Sequence, residues 1–172
     1  QSQCTACGGV WLLPLNLSKQ AHNSLIDEIL SLPNARVGIV GYHVSVPASA
    51  SHSLTNDSVL LHSVINSWDE QTLSSQNRRL CLAIQTSVQD FQASSSNILN
   101  KIAIVMSAGE ITHGCSGINA PDLNLNGIVN DPGDQAIKVA CDAHLQENIT
   151  FYSVGFGASA DEATLQAIAQ CG

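Results

Sequence analysis

The chain has 172 residues, of which 44% are hydrophobic and 12% charged, and its formal net charge at pH 7 is −8. This length and hydrophobic content are typical of a folded globular protein and exclude an intrinsically disordered chain. The negative charge disfavours nucleic acid or an anionic membrane surface as a partner, and no apolar run approaches the roughly 20 residues that cross a membrane. Because the chain begins at Gln1 without a secretory signal, we expect a processed, mature protein.

The first third of the chain is predicted to contain two strands separated by a helix. Residues 10–16 form the first predicted strand, residues 19–32 the helix and residues 36–46 the second strand. Pro14 lies inside the first strand, where it cannot donate to the ladder. We therefore expect a bulge or local distortion at Pro14.

The rest of the chain alternates between helices and strands. The predicted elements are, in order, helices at 57–68 and 77–91, a strand at 101–107, a helix at 134–146, a strand at 150–155 and a helix at 160–169. The run at 101–107 is short and apolar, as are strands that are buried on both faces of a parallel sheet. This alternation predicts a βαβ architecture with a largely parallel sheet, in one domain over residues 1–172.

A thirteen-residue segment has the pattern of a calcium-binding loop. Residues 122–134 read Asp-Leu-Asn-Leu-Asn-Gly-Ile-Val-Asn-Asp-Pro-Gly-Asp. An oxygen ligand at every second position and a glycine at the sixth are typical of EF-hand-type loops. The predicted ligands are the side chains of Asp122, Asn124 and Asn126, the carbonyl of Ile128, Asn130 directly or through water, and Asp134 or Asp131 in place of the usual closing Glu, whose position Gly133 occupies.

The composition of this loop predicts weak binding. Amides replace two of the usual carboxylates, so we expect a Ca²⁺ dissociation constant of roughly 10⁻⁴ to 10⁻³ M, as in extracellular modules. Asp, Asn, Gly and Pro are also ordinary turn residues, and a turn without an ion is the alternative. The two-residue period of the ligands favours calcium.

The six cysteines suit disulfides better than a zinc site, because only Cys4 and Cys7 have the spacing of a zinc knuckle. Cys115 and Cys141 flank the calcium-like segment, and we expect a bridge between them that clamps its base. The other four cysteines allow three pairings, among which the sequence does not choose: Cys4, Cys7, Cys81 and Cys171.

Asn-x-Ser/Thr sequons at Asn16, Asn56 and Asn148 predict N-glycosylation. Residues 47–56 and 92–100 are rich in Ser, Thr and Asn, which is expected of polar loop or helix surface and also of an exposed glycoprotein. Together with the disulfides, these features predict an oxidising, extracellular compartment or the cell surface.

The sequence offers little support for an enzyme. It has no Gly-x-Ser-x-Gly elbow or phosphate-binding glycine loop, and its six histidines are scattered. His113 beside Cys115 suggests a Cys/His dyad, but a disulfide is the favoured use of that cysteine. Asp161 and Glu162 are expected in the first turn of a helix, where they complement its dipole. We therefore expect a non-enzymatic protein.

Three segments, in the correct order, resemble the von Willebrand factor A (VWA) family. They are Val-Gly-Ile-Val-Gly-Tyr at 37–42, Lys-Ile-Ala-Ile-Val-Met-Ser-Ala-Gly-Glu at 101–110 and Ile-Thr-Phe-Tyr-Ser-Val-Gly-Phe-Gly at 149–157. The resemblance extends from about residue 10 to residue 171, and the last segment is especially similar to the secreted microbial branch of the family. It implies a doubly wound α/β fold with a mostly parallel sheet flanked by helices, and a calcium-loop-like insertion at about 113–134.

The resemblance also implies a metal-dependent adhesion site above the sheet, but the residues that carry it have changed. The family's Asp-x-Ser-x-Ser is Asn16-Leu-Ser18-Lys-Gln20 in this chain, and its Thr-Asp-Gly is Ser107-Ala108-Gly109. The Thr of the second loop aligns with Arg78, or with Thr72 if the loop has slipped. We expect this degenerate site to be empty of metal, with the Arg78 guanidinium as a fixed cation in the same volume.

Two functions follow from these patterns. The first is an extracellular structural or adhesive module, calcium-stabilised and disulfide-clamped, that acts through protein–protein contacts, for example as a filament or surface-layer subunit that binds copies of itself. The alternative is a metal-dependent receptor-type domain that binds a partner's carboxylate through a cation. Asn16, Arg78 and Ala108 favour the first.

Overall fold

The computed structural model describes residues 14–68, 78–94 and 100–171. Its elements are helix α1 (Pro14–Leu30), strands β1 (Val37–Val40) and β2 (Ser51–Thr55), helices α2 (Ser58–Ser67) and α3 (Leu80–Ala93), strand β3 (Lys101–Ser107), helix α4 (Pro132–Glu147), strand β4 (Ile149–Gly155) and helix α5 (Glu162–Gln170). The predicted α/β class is confirmed. None of the helices in these ranges is long and apolar enough to span a membrane.

Strands β3 and β4 form a parallel pair, in register from Lys101 opposite Ile149 to Ser107 opposite Gly155. Helix α4 lies between them in the chain and packs on β4, as the βαβ prediction requires. Strands β1 and β2 pair antiparallel, with an irregularity between Val37 and Ile39. The parallel register places the ends of β3 and β4 side by side, so the loops that follow them meet at one edge.

The described residues form two apolar cores. The larger lies between the β3–β4 pair and helices α3, α4 and α5, and its most buried large side chains are Leu80, Ile137, Ile149, Phe151 and Ile168. The smaller packs α1 and α2 on β1 and is made by Ile26, Ile39, Ala50, Leu61, Ile65 and Trp68. Hydrogen bonds between described residues connect the halves: Tyr42 Oη donates to the Met106 carbonyl at 3.4 Å, the Arg79 N–H donates to the His43 carbonyl at 2.8 Å, and Ser53 Oγ donates to Asp90 Oδ1 at 3.0 Å.

The prediction at Pro14 was wrong. Residues 14–16 belong to α1 and not to a strand, while residues 10–13 of the predicted strand lie outside the described ranges. Pro14 is the first residue of α1, so among the described residues it belongs to a helix and not to a bulged strand. At a helix start the missing N–H has no partner to lose, and the fixed φ of proline suits the first turn.

The second prediction to need correction concerns residues 36–56. The predicted strand at 36–46 is limited to Val37–Val40, and Ser51–Thr55 forms strand β2 within the segment predicted as polar surface. The sequence Ser-His-Ser-Leu-Thr has little apolar content, so its strand depends on pairing with β1 and was not evident from periodicity. The five predicted helices and the strands at 101–107 and 150–155 are confirmed, with ends shifted by a few residues.

The disulfides differ from the expected pairing. Cys81 is bonded to Cys115 and Cys141 to Cys171, so the expected bridge between Cys115 and Cys141 was wrong. Arg78 explains the first bond, because its carbonyl accepts from the N–H groups of Thr112 and His113 and so holds the start of α3 beside the loop after β3. Cys4 and Cys7 lie outside the described residues.

Candidate functional site

The candidate site is a cleft of about 430 Å³ at the carboxyl ends of β3 and β4. Three segments line it: Glu110 and Ile111 after β3, the calcium-like loop, and residues 158–163 before and in the first turn of α5. The carboxyl edge of a parallel sheet is where α/β proteins bind ligands. The lining contains four carboxylates, those of Glu110, Asp131, Asp161 and Glu162.

The calcium-like loop turns around the carboxylate of Asp122. Its Oδ1 accepts from the Asn126 N–H at 3.0 Å, and its Oδ2 accepts from the Gly127 N–H at 3.0 Å. Gly127 has φ +86°, which a residue with a Cβ rarely adopts. Asn126 Oδ1 in turn accepts from the Ile128 N–H at 2.8 Å. The first and sixth positions of the loop are therefore joined, as a loop that encloses an ion requires.

Asp131 closes the other side of this loop. Its carboxylate accepts from the side-chain amides of Asn124 and Asn126, and from the Asp134 N–H at 2.8 Å as the N-cap of α4. Burial raises the pKa of the Asp131 carboxyl, but the hydrogen bonds from Asp134, Asn126 and Asn124 outweigh it, and the pKa lies below its ordinary value. Asp131 is therefore an anion at neutral pH.

Two of the predicted ligands are used elsewhere. Asp134 is fully buried; its Oδ1 accepts from the N–H groups of Leu123 and Asn124, at 2.6 and 3.1 Å, and its Oδ2 from that of Asp131 at 3.3 Å. Asp134 also completes the capping box of α4, which favours the alternative, Asp131, as the residue that closes the calcium shell. Asn130 Oδ1 accepts from the Ala120 N–H at 3.0 Å and from Gln135 Nε2 at 3.2 Å, which holds it away from the loop centre.

Hydrogen bonds thus connect four of the candidate residues: Asp122, Asn124, Asn126 and Asp131. Within the described ranges, no three His, Cys, Asp or Glu side chains meet as a metal site. Any ion in this loop would have two carboxylates, with amide and carbonyl oxygens for the remainder. Such a set of neutral and charged oxygens fits Ca²⁺ better than a transition metal, and it predicts low affinity.

The residues aligned with the adhesion site do not form a set of metal ligands. Ser18 lies on α1 with its Oγ 3.3 Å from His22 Nδ1, while Asn16 and Gln20 are exposed on the same helix. Among the described residues, no hydrogen bond joins them to the loop after β3. The alternative equivalent, Thr72, lies outside the described ranges.

The other two residues of that alignment lie at the end of β3. Ala108 follows β3 and has no side-chain donor atom. Arg78 lies against Gly109, and its Nη1 donates to the Glu110 carbonyl at 3.5 Å. A guanidinium at this position cannot ligate a cation and would repel one. The described part of the site therefore does not fit a divalent ion.

Sequence reasoning missed the contribution of two residues to this region. Glu110 was not singled out, although its position just after a parallel strand was a usable signal. Asp161 was assigned only to the first turn of a helix; it is the N-cap of α5, accepting from the Thr164 N–H at 3.1 Å, and it also lines the cleft.

Comparisons with known proteins agree with this architecture. The sequence profile of the von Willebrand factor type A domain matches residues 12–172. Among solved structures, the chain is similar to the conserved hypothetical protein BatB from Bacteroides thetaiotaomicron, with a TM-score of 0.65 and 16% identity over 92% of this chain and 76% of that one. At this identity the likeness shows the fold alone. No curated protein is significantly similar to the chain in sequence.

Proposed function

Because the chain belongs to the von Willebrand factor type A domain family, whose domains mediate protein–protein contacts, we propose that it is an extracellular structural or adhesive module stabilised by calcium. The observation that carries this proposal is the loop in which Asn126 donates to two carboxylates, through its N–H to Asp122 and through its side-chain amide to Asp131, to which Asn124 also donates. The loop borders the cleft at the carboxyl edge of β3 and β4. An ion bound there stabilises a surface that meets a partner.

Calcium would act in this protein through charge and geometry. Asp122 is in the loop and Asp131 caps α4, so an ion held by both ties the insertion at about 113–134 to the helix behind it. Without an ion, the amides of Asn124 and Asn126 partly offset the charge of Asp131. Rotation of each amide presents its oxygen to the cation. We therefore propose Ca²⁺ as a structural ligand.

The extracellular part of the proposal is supported by the covalent structure. Two disulfides, Cys81–Cys115 and Cys141–Cys171, require an oxidising compartment to persist. The asparagines of the sequons are all exposed, which N-glycosylation requires: Asn16, Asn56 and Asn148. We propose a glycosylated protein of the cell surface or the extracellular space, with residues 1–172 as one domain.

A binding role without a metal ion at the contact is better supported than catalysis or than a metal-dependent receptor-type domain. The side chains that line the cleft include no His, Cys or Lys, so the described residues there supply no activated nucleophile. Arg78 disfavours a cation at the top of β3, which the receptor alternative needs. We propose protein partners, including further copies of this chain in a filament or surface layer.

Calcium titration of the metal-free protein tests this function. With a dissociation constant of about 10⁻³ M, 10 mM Ca²⁺ would stabilise the fold by about 1.4 kcal/mol, which raises the melting temperature by roughly 3–6 °C for a chain of this size. We expect this rise in the wild type and its loss in Asp122→Asn. Differential scanning calorimetry with and without Ca²⁺ measures it.

The matched control is Asp142→Asn, which makes the same charge change on α4, where Asp142 pairs with Lys138. This variant should keep the full response to Ca²⁺. An equal rise in Asp122→Asn, or none in the wild type, would contradict the calcium proposal.

Sedimentation velocity on the same samples reports assembly: growth of the sedimentation coefficient with protein concentration supports self-association, and a constant value leaves only other proteins as partners.

A further inference from the structure

Arg78 is fixed by its backbone at the carboxyl edge of the sheet. It precedes α3 by two residues, and its N–H donates to Thr112 Oγ1 at 2.9 Å. Its carbonyl accepts from the N–H groups of Thr112 and His113 at 3.2 and 3.0 Å. The disulfide between Cys81 and Cys115 holds the same two segments together three residues further along. The position of the side chain is therefore set by a rigid base.

The guanidinium of Arg78 lies directly on Gly109. A Cβ added to Gly109 would come within 2.6 Å of Nη1 and 2.7 Å of Cζ, so this close approach depends on glycine. The guanidinium has five N–H donors, and among the described residues it makes one hydrogen bond, the 3.5 Å contact with the Glu110 carbonyl. None of the ion pairs within the described ranges includes Arg78. Most of its hydrogen-bonding capacity is therefore available to a ligand.

The charge of Arg78 acts on its surroundings. Burial raises the pKa of the Tyr42 hydroxyl above its ordinary value, and a hydrogen bond with Ser107 and the positive charge of Arg78 offset part of this rise. The loop of Ser107, Ala108 and Gly109 contributes no carboxylate. This edge of the sheet thus carries a fixed cation in a protein whose net charge is −8.

We propose that Arg78 binds a carboxylate of a protein partner without a metal ion. The guanidinium fork accepts a carboxylate through two parallel hydrogen bonds. The inference rests on the proposed function, since it assigns one contact of the interaction module. Glu110 connects Arg78 to the acidic cleft that contains Asp131, Asp161 and Glu162. A partner segment with one acidic residue beside a basic residue therefore suits this surface better than a segment with a run of acidic residues.

Nuclear magnetic resonance titration with acetyl-Lys-Asp-amide tests the proposal. In the presence of EDTA, we expect saturable shifts of the Arg78 Nε–Hε and Gly109 amide signals. The control peptide acetyl-Lys-Asn-amide, which lacks the carboxylate, should bind at least tenfold more weakly. Arg78→Gln should weaken binding of the acidic probe at least tenfold. Arg36→Gln changes an exposed residue before β1 and should leave this binding unchanged. Arg78→Lys should fall between these variants, because it keeps the charge and loses the fork.

Gly109→Ala provides a test that keeps Arg78 in the chain. Its Cβ would displace the guanidinium from its present position, so binding of the acidic probe should weaken as it does in Arg78→Gln. The proposal would be overturned if binding of the acidic probe were unchanged in both variants or disappeared in EDTA. It would also be overturned if no binding were seen at 50 mM probe, about fifty times a weak dissociation constant of 10⁻³ M. The Ca²⁺-dependent melting of the same protein is independent of these results, so the two proposals fail separately.

Discussion

Asp134 shows how one buried carboxylate organises the whole candidate site. It is fully buried, and its two oxygens accept hydrogen bonds from the backbones of Leu123, Asn124 and Asp131. These bonds hold both ends of the calcium-like loop against the first turn of α4. Its residue type and place in the sequence also suit a calcium ligand, and only burial and hydrogen bonding distinguish the two roles.

We predict that Asp134→Ala destabilises the fold by about 3 kcal/mol, because it leaves three partly buried N–H groups without their acceptors at about 1 kcal/mol each. Urea unfolding followed by circular dichroism measures the difference. Asp142→Ala, on the exposed side of the same helix, should cost at most about 0.5 kcal/mol. Similar losses in the two variants would mean that Asp134 does not anchor the loop.

At the scale of elements, the strongly periodic parts of the chain were predictable. The helices that became α2, α3 and α4 show apolar residues at helical spacing, and β3 is a run of apolar residues too short for a helix. Strand β2 was not predictable in this way, because its stability comes from pairing with β1 and not from its own composition. Pro14 was misassigned since a proline that disrupts a strand is acceptable at a helix start.

The disulfides were unpredictable for a related reason. Cys115 and Cys141 flank the calcium-like segment, which suggested a bridge between them, whereas the fold brings the start of α3 to Cys115 and the end of α5 to Cys141. The calcium-like loop was partly predictable: the side chains of Asn124 and Asn126 donate to Asp131, and the Asn126 N–H donates to Asp122. Asp134 and Asn130 took structural hydrogen bonds that sequence spacing does not reveal.

Removal of each disulfide in turn gives two matched variants with different expected effects on the affinity for Ca²⁺. The chain-entropy model assigns about 4 kcal/mol to each, since they join residues 34 and 30 positions apart. We predict that the double variant Cys81→Ala/Cys115→Ala loses this stability and also binds Ca²⁺ more weakly, because Cys115 anchors the segment that leads into the loop. Cys141→Ala/Cys171→Ala should lose similar stability and keep its calcium affinity. Isothermal titration calorimetry separates the two results, and equal weakening in both variants would contradict them.

At the scale of the molecule, the two cores are unequal. The larger contains fifteen buried residues, among them Cys81, and is packed around both disulfides of the described chain. The smaller contains six and has no covalent link among its described residues. The halves are joined by few hydrogen bonds, such as that from Tyr42 to the Met106 carbonyl, and by the packing of Val40, Tyr42 and Val46 on the larger core. Local opening is cheapest where buried apolar contacts are few.

We therefore predict that amides of α1, β1 and α2 exchange with solvent before those of β3, β4 and α4. Hydrogen exchange followed by mass spectrometry measures this directly on peptides from each half. Added Ca²⁺ should slow exchange mainly at residues 122–134, because the ion binds only that loop. Equal protection in both halves would show that the smaller core opens only with the whole molecule. Protection by Ca²⁺ that spreads to α1 would show that the loop and the smaller core are coupled. The surface around Arg78 lies on the more stable half, so a ligand bound there meets a site that is already in place.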